Sequence, residues 1–120
     1  MRARATTILS ALVVVALACG PALPEPSSIF IRGWGTSTCE SWTAERKKPP
    51  PNITAAMTSW VFGFLSGYNV YAYRGPANGI DQTINNADIV DWLDRFCQEQ
   101  PARTLAEAAA TLVKLLGKQP

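Results

Sequence analysis

The two cysteines that an export leader leaves behind, Cys39 and Cys97, constrain this chain more than any other feature. Met1-Arg2-Ala3-Arg4 is a short positive start, and residues 8–18 are apolar except for Ser10. The run ends in Ala16-Leu17-Ala18, the small-x-small pattern that signal peptidases read. It is shorter than the roughly 20 apolar residues a membrane span needs, and no later stretch is long enough either. An exported chain sits where disulfides form and persist. A Cys39–Cys97 bond would close a loop of about 58 residues, which the chain-entropy model values at roughly 4 kcal/mol. The domain beyond the leader has fewer than about 100 residues, a size at which a core alone is marginal and a staple matters.

Two cleavage sites remain open. A cut after Ala18 leaves Cys19 first and able to carry a lipid, as in a bacterial lipoprotein; against it, Ala16 stands where such signals carry a large aliphatic residue. A cut after Ala22, following Gly20-Pro21-Ala22, removes Cys19 and releases the protein to the periplasm or beyond. The chain thus divides into a signal at 1–22, an extended lead at 23–36 and a disulfide-stapled helical domain at 37–120. Losing Arg2 and Arg4 leaves nine basic residues against nine acidic ones. A neutral domain lacks the basic footprint of a nucleic-acid binder, and Arg46-Lys47-Lys48 alone is too short to make one.

The domain reads as an all-α bundle of about four helices. The Gly-broken stretch at 29–35 reads as extended chain. Thr36-Ser37-Thr38 offers cap hydroxyls to a short helix from Cys39 to Arg46, which Pro49-Pro50-Pro51 stops. Asn52 caps a second helix, on which Met57, Trp60, Val61, Phe64, Tyr68 and Tyr71 recur at three- and four-residue steps. A polar loop comes next, with Ile80 and Ile84 as apolar anchors. Asn85 or Asn86 caps a third helix with Ile89, Trp92, Leu93, Phe96 and Cys97 on its buried stripe, and with Asp91, Asp94, Arg95 and Gln98 toward water. Asp91 and Arg95, four apart, can pair weakly. Thr104 to Glu107 is a capping box for a fourth helix lined by Leu105, Ala108, Ala109, Leu112 and Leu116 and ended by Gly117.

The chemistry available is narrow. There is no histidine, so Ser-His and Cys-His pairs, His metal sites and the usual base near neutral pH are missing. The spacing of Asp88, Asp91 and Asp94 reads as a solvated helix face and not as a metal site. Gly75-Pro76-Ala77-Asn78-Gly79 has no strand before it and no Lys or Ser after it, so it is not a phosphate loop. We expect no enzymatic role, no cofactor and no metal.

The second helix is the unusual element. Its polar side should carry Thr58, Ser59, Ser66 and Asn69, yet Phe62, Val70 and Tyr73 fall there too. Either the helix is central and packed on both sides, the reading the sequence favours, or these three form a partner-binding patch. Gly63 and Gly67, four apart, are expected to form a smooth flank against a neighbouring helix.

Thr38-Cys39-Glu40, followed after one residue by an aromatic, and Ile89-Val90 ahead of Cys97-Gln98 resemble the HdeA-type periplasmic acid-stress chaperones over roughly residues 33–116. The resemblance implies a four-helix protein with one disulfide that holds unfolded clients in acid. This chain has a longer, more aromatic second helix and more widely spaced cysteines. The Trp60 to Gly67 segment, Pro101 and the Ala-rich final helix are similar to periplasmic immunity proteins of type VI secretion, which implies instead one folded toxin as partner. Both readings make other proteins the partners, and both leave a homodimer open.

Overall fold

A helix leaves its first four N–H groups without partners of its own, so each helix must find acceptors for them. In the computed structural model, which describes residues 29–75, 79–80 and 84–117, a polar side chain supplies one at the start of each α-helix. Helix α1 (Cys39–Arg46) starts on Thr38, whose Oγ1 accepts from the Ser41 amide at 3.2 Å. Helix α2 (Thr54–Tyr71) starts beside Asn52, whose Oδ1 accepts from the Thr54 amide at 3.0 Å. Helices α3 (Asn86–Glu99) and α4 (Leu105–Leu116) each open on a capping box, Asn85 with Asp88 and Thr104 with Glu107. The described residues hold these four α-helices, one 3-10 turn (Gly33–Thr36) and no strand, so the fold is the small all-α bundle the sequence predicts. Residues 1–28, which hold the expected signal, both expected cleavage sites and Cys19, lie outside the described residues, as do 76–78, 81–83 and 118–120.

The helices pack chiefly as two pairs, α1 on α3 and α2 on α4. The Cys39–Cys97 disulfide joins the first pair, with the two Cα atoms 4.6 Å apart and both residues buried. Trp42, Met57, Val61, Leu93, Leu105 and Leu112 fill the shared core and are almost wholly removed from water. Burial of such side chains stabilises the fold by about 1.5–3 kcal/mol each. The N-terminal ends of α1 and α4 meet. Thr38 and Thr104 form an isolated antiparallel bridge, the Cys39 amide donates to the Arg103 carbonyl at 2.7 Å, and the Leu105 amide donates to the Ser37 carbonyl at 2.9 Å. Amides that neither helix can satisfy internally are thereby used to tie the helices together.

Four expectations are corrected. The 29–35 stretch is not extended throughout. Gly33 takes a φ of 71°, open to glycine but strained for other residues, and the chain curls into the 3-10 turn. Helix α2 is not packed on both sides: Met57, Val61 and Leu65 are buried, while Ser59, Gly63, Ser66 and Val70 are exposed. Gly63 and Gly67 do not meet a neighbouring helix, since a Cβ on either would find nothing within 4 Å. Tyr71 does not share the buried face; the helix ends there, past the reach of the core, and its side chain is 79% exposed. The close approach expected at Gly63 and Gly67 occurs at Gly35 instead. A Cβ on Gly35 would stand 2.1 Å from the Trp60 ring, and the Trp60 indole donates to the Arg32 carbonyl at 2.8 Å, fastening the 3-10 turn to α2.

Candidate partner-binding surface and its joints

Helix α2 carries no charged residue in 18 positions, so no ion pair fixes which side turns inward. The three residues expected to form a patch part company. Phe62 and Tyr73 are half-buried and pack against the core, Tyr73 with its ring 6.4 Å from that of Tyr68. Val70 stays 69% exposed, next to Tyr71. The surface that results is an uncharged outer flank of Ser59, Gly63 and Ser66, ending in the bare side chains of Val70 and Tyr71. At its end, the Asn69 side chain accepts from the Ile80 amide at 2.9 Å and anchors the loop after α2, with Ile80 buried as the sequence predicts.

The polar chemistry lies elsewhere, at two joints between elements. The first couples α1 to α3. Asp94 is not simply turned to water: its Oδ1 accepts from the Trp42 indole Nε1 at 2.8 Å and from Arg46 Nε at 3.0 Å, and its Oδ2 accepts from Arg46 Nη2 at 2.8 Å. Two oxygens facing the guanidinium fork make a bidentate pair, with both partners part-exposed. The hydrogen bond to Asp94 raises the Arg46 pKa further above its ordinary value, against a smaller effect of desolvation. The buried Trp42 needs this acceptor, because an indole N–H without a partner costs about 1–3 kcal/mol. Asp91 and Arg95, by contrast, form no ion pair among the described residues, and Asp88 is engaged in its capping box.

The second joint is at the start of α4. Glu107 accepts from the Thr104 amide at 2.8 Å and from Arg103 Nη1 at 2.8 Å. The backbone hydrogen bond, with Arg103 second, holds its carboxyl below the usual range. Thr104 in turn forms the bridge to Thr38, so this carboxylate supports the contact between α4 and α1.

A shallow groove of about 260 Å³ between α1 and α3 is lined by Thr43, Arg46, Lys47, Asp94 and Gln98. No group of three or more His, Cys, Asp or Glu is placed to hold a metal among the described residues, and none of their helices is long and apolar enough to cross a membrane. Comparison with protein-family models, with curated proteins and with solved structures finds no match.

Proposed function

We propose that this chain is a small protein-binding domain of the periplasm that loosens in acid and then holds unfolded clients, with no catalytic role. One observation supports this reading most: the carboxylates of Asp94 and Glu107 stand at the two joints between helices. In a chain without histidine, such groups are the means by which acid reaches the fold. The sign is set by Glu107. Its folded pKa lies below its unfolded one, so its stabilising effect is present above about pH 4 and is lost as pH falls through the lower folded value. Protonation also leaves the basic residues unopposed, and self-repulsion adds to the loss. The disulfide keeps the loosened chain from opening fully, so apolar helix faces become available while tethered.

The test is paired. Near-ultraviolet circular dichroism should lose tertiary signal below about pH 3–4 and stay constant between about pH 5 and pH 8. Suppression of client aggregation should appear only in the acid range. A Glu107→Gln variant should show a smaller fall in stability across the acid range than the parent. A fold that remains rigid near pH 2, or that protects clients equally at pH 7, overturns the acid reading.

A second reading rests on Val70 and Tyr71, which an uncharged flank displays in the fully folded state. That surface suits one folded partner bound at neutral pH, as an immunity protein binds its toxin. Val70→Asp with Tyr71→Asp should abolish such a complex while leaving acid client capture unchanged.

A further inference from the structure

We propose that the face made by the 3-10 turn, the residues leading into it and the adjoining stripe of α2 rests on an anionic phospholipid surface. Ile29 and Phe30 ahead of the turn are 80% and 77% exposed, and Trp34 within it is exposed as well. The turn is seated on Trp60, whose half-buried ring stacks on that of Phe64 with centroids 5.7 Å apart. The segment is fastened and does not trail: the Trp60 indole donates to the Arg32 carbonyl, and Gly33 makes the bend with its positive φ. Large apolar side chains gathered on one folded face mark an interaction site more strongly than the same residues scattered singly.

The distribution of charge says what covers this face. Every acid among the described residues lies on α1, α3 or α4. The turn and α2 carry none, and the exposed cations on the same stretches are Arg32 and, just past α2, Arg74. Of α2 and α4, which pack on the turn, only α4 brings an acid, Glu107, and Arg103 already pairs with it. The Arg32 guanidinium lies over the Phe30 ring, 4.8 Å from its centroid. A ring beside a cation matches the boundary of an anionic bilayer, where the ring enters the acyl edge and the cation stays with the phosphates. Ile29 and Phe30 are nearly bare, so they project and do not line a cleft. A projecting apolar segment suits a fluid phase that deforms around it, whereas a protein partner would need a matching pocket. The contact uses the folded state and does not depend on the client-binding reading.

The experiment is co-sedimentation at pH 7 and low salt with vesicles of equal parts phosphatidylglycerol and phosphatidylcholine. The full chain is expressed with its own leader, whose removal is checked by mass, and carries Cys19→Ala so that no acyl chain can be attached. This parent should bind, and its binding to phosphatidylcholine alone should be at least about fivefold weaker. Ile29→Ser with Phe30→Ser should weaken binding at least about tenfold, and Arg32→Glu at least about fivefold. Leu115→Ser, at an exposed apolar residue that lines a groove against α3, should change binding less than about twofold. All four substituted side chains are exposed, so circular dichroism should show the folds unchanged. A parent that leaves the vesicles bare at about 5 mM lipid overturns the proposal and gives this face to a protein partner. Equal binding to neutral vesicles overturns it too, as does a loss for Leu115→Ser as large as that for the Ile29 and Phe30 pair, which would mark general stickiness.

Discussion

Helices α1 and α3 are joined by a covalent bond and a fork of directional hydrogen bonds, whereas α2 and α4 meet across a core to which both bring only apolar residues. The first pair has its register written into it. Three residues on from Cys39 and three back from Cys97 stand Trp42 and Asp94, hydrogen-bonded to each other. The second pair has no such device. Met57, Val61 and Leu65 on α2 pack because they are apolar and of suitable size, a non-directional attraction that several orientations satisfy. Polar and covalent locks thus specify how α1 lies on α3, while packing alone holds α2 against α4.

The largest test of that contrast is Cys97→Ser. If the staple carries the α1–α3 pair, unfolding in denaturant should show a loss of about 4 kcal/mol for a loop spanning 58 residues. A loss well below about 1 kcal/mol would mean that the polar fork holds the register unaided. Next comes Asp94→Ala, which leaves the buried Trp42 indole without its acceptor and should cost about 1–3 kcal/mol. Asp94→Asn, which keeps an acceptor oxygen, should recover part of that loss; equal losses for the two variants would show that only the charge mattered. The smallest effect separates two glycines. Gly63→Ala on the open flank of α2 should raise stability by about 0.5–1 kcal/mol, since its Cβ meets nothing and alanine favours the helix. Gly35→Ala drives a Cβ into the Trp60 ring and should instead destabilise. A loss at Gly63 would reveal a neighbour on that flank and erase the difference between the halves.

The legible parts of the fold are those coded locally or by elimination. Asn85 with Asp88 and Thr104 with Glu107 can be read as caps because both members lie within one turn. The disulfide emerges once one cysteine is assigned to the leader. The role of Asp94 is not legible in a helix-surface carboxylate, because its partners Trp42 and Arg46 lie about 50 residues earlier, joined to it only through tertiary structure. The staple does hold that information, since it aligns positions equally spaced from the two cysteines. On α2 the failure has another cause. A helix apolar on nearly all sides does not announce its inner face, so its spacing misses Leu65, turns Tyr71 inward, and gives Gly63 and Gly67 a neighbour they lack. The three patch candidates separate for the same reason: Val70 is on the surface, while Phe62 and Tyr73 fold back onto the core.

The Cys39–Cys97 bond also sorts the helices topologically. Residues 39 to 97 form a covalent ring that includes α1, α2 and most of α3, while α4 lies beyond it on a linear tail. Inside the ring, α2 can shift or unwind but never travel far from its neighbours, however loose the packing becomes. The tail is held back by the hydrogen bonds at Ser37 and Arg103 and by the apolar face it buries. Were those to open while the ring stayed closed, Leu105, Ala109, Leu112 and Leu116 would swing out as one amphipathic arm with a long reach, and the vacated side of the ring would be left bare. The molecule would then present two complementary apolar surfaces on a single chain, one anchored and one casting about, free to close on each other again.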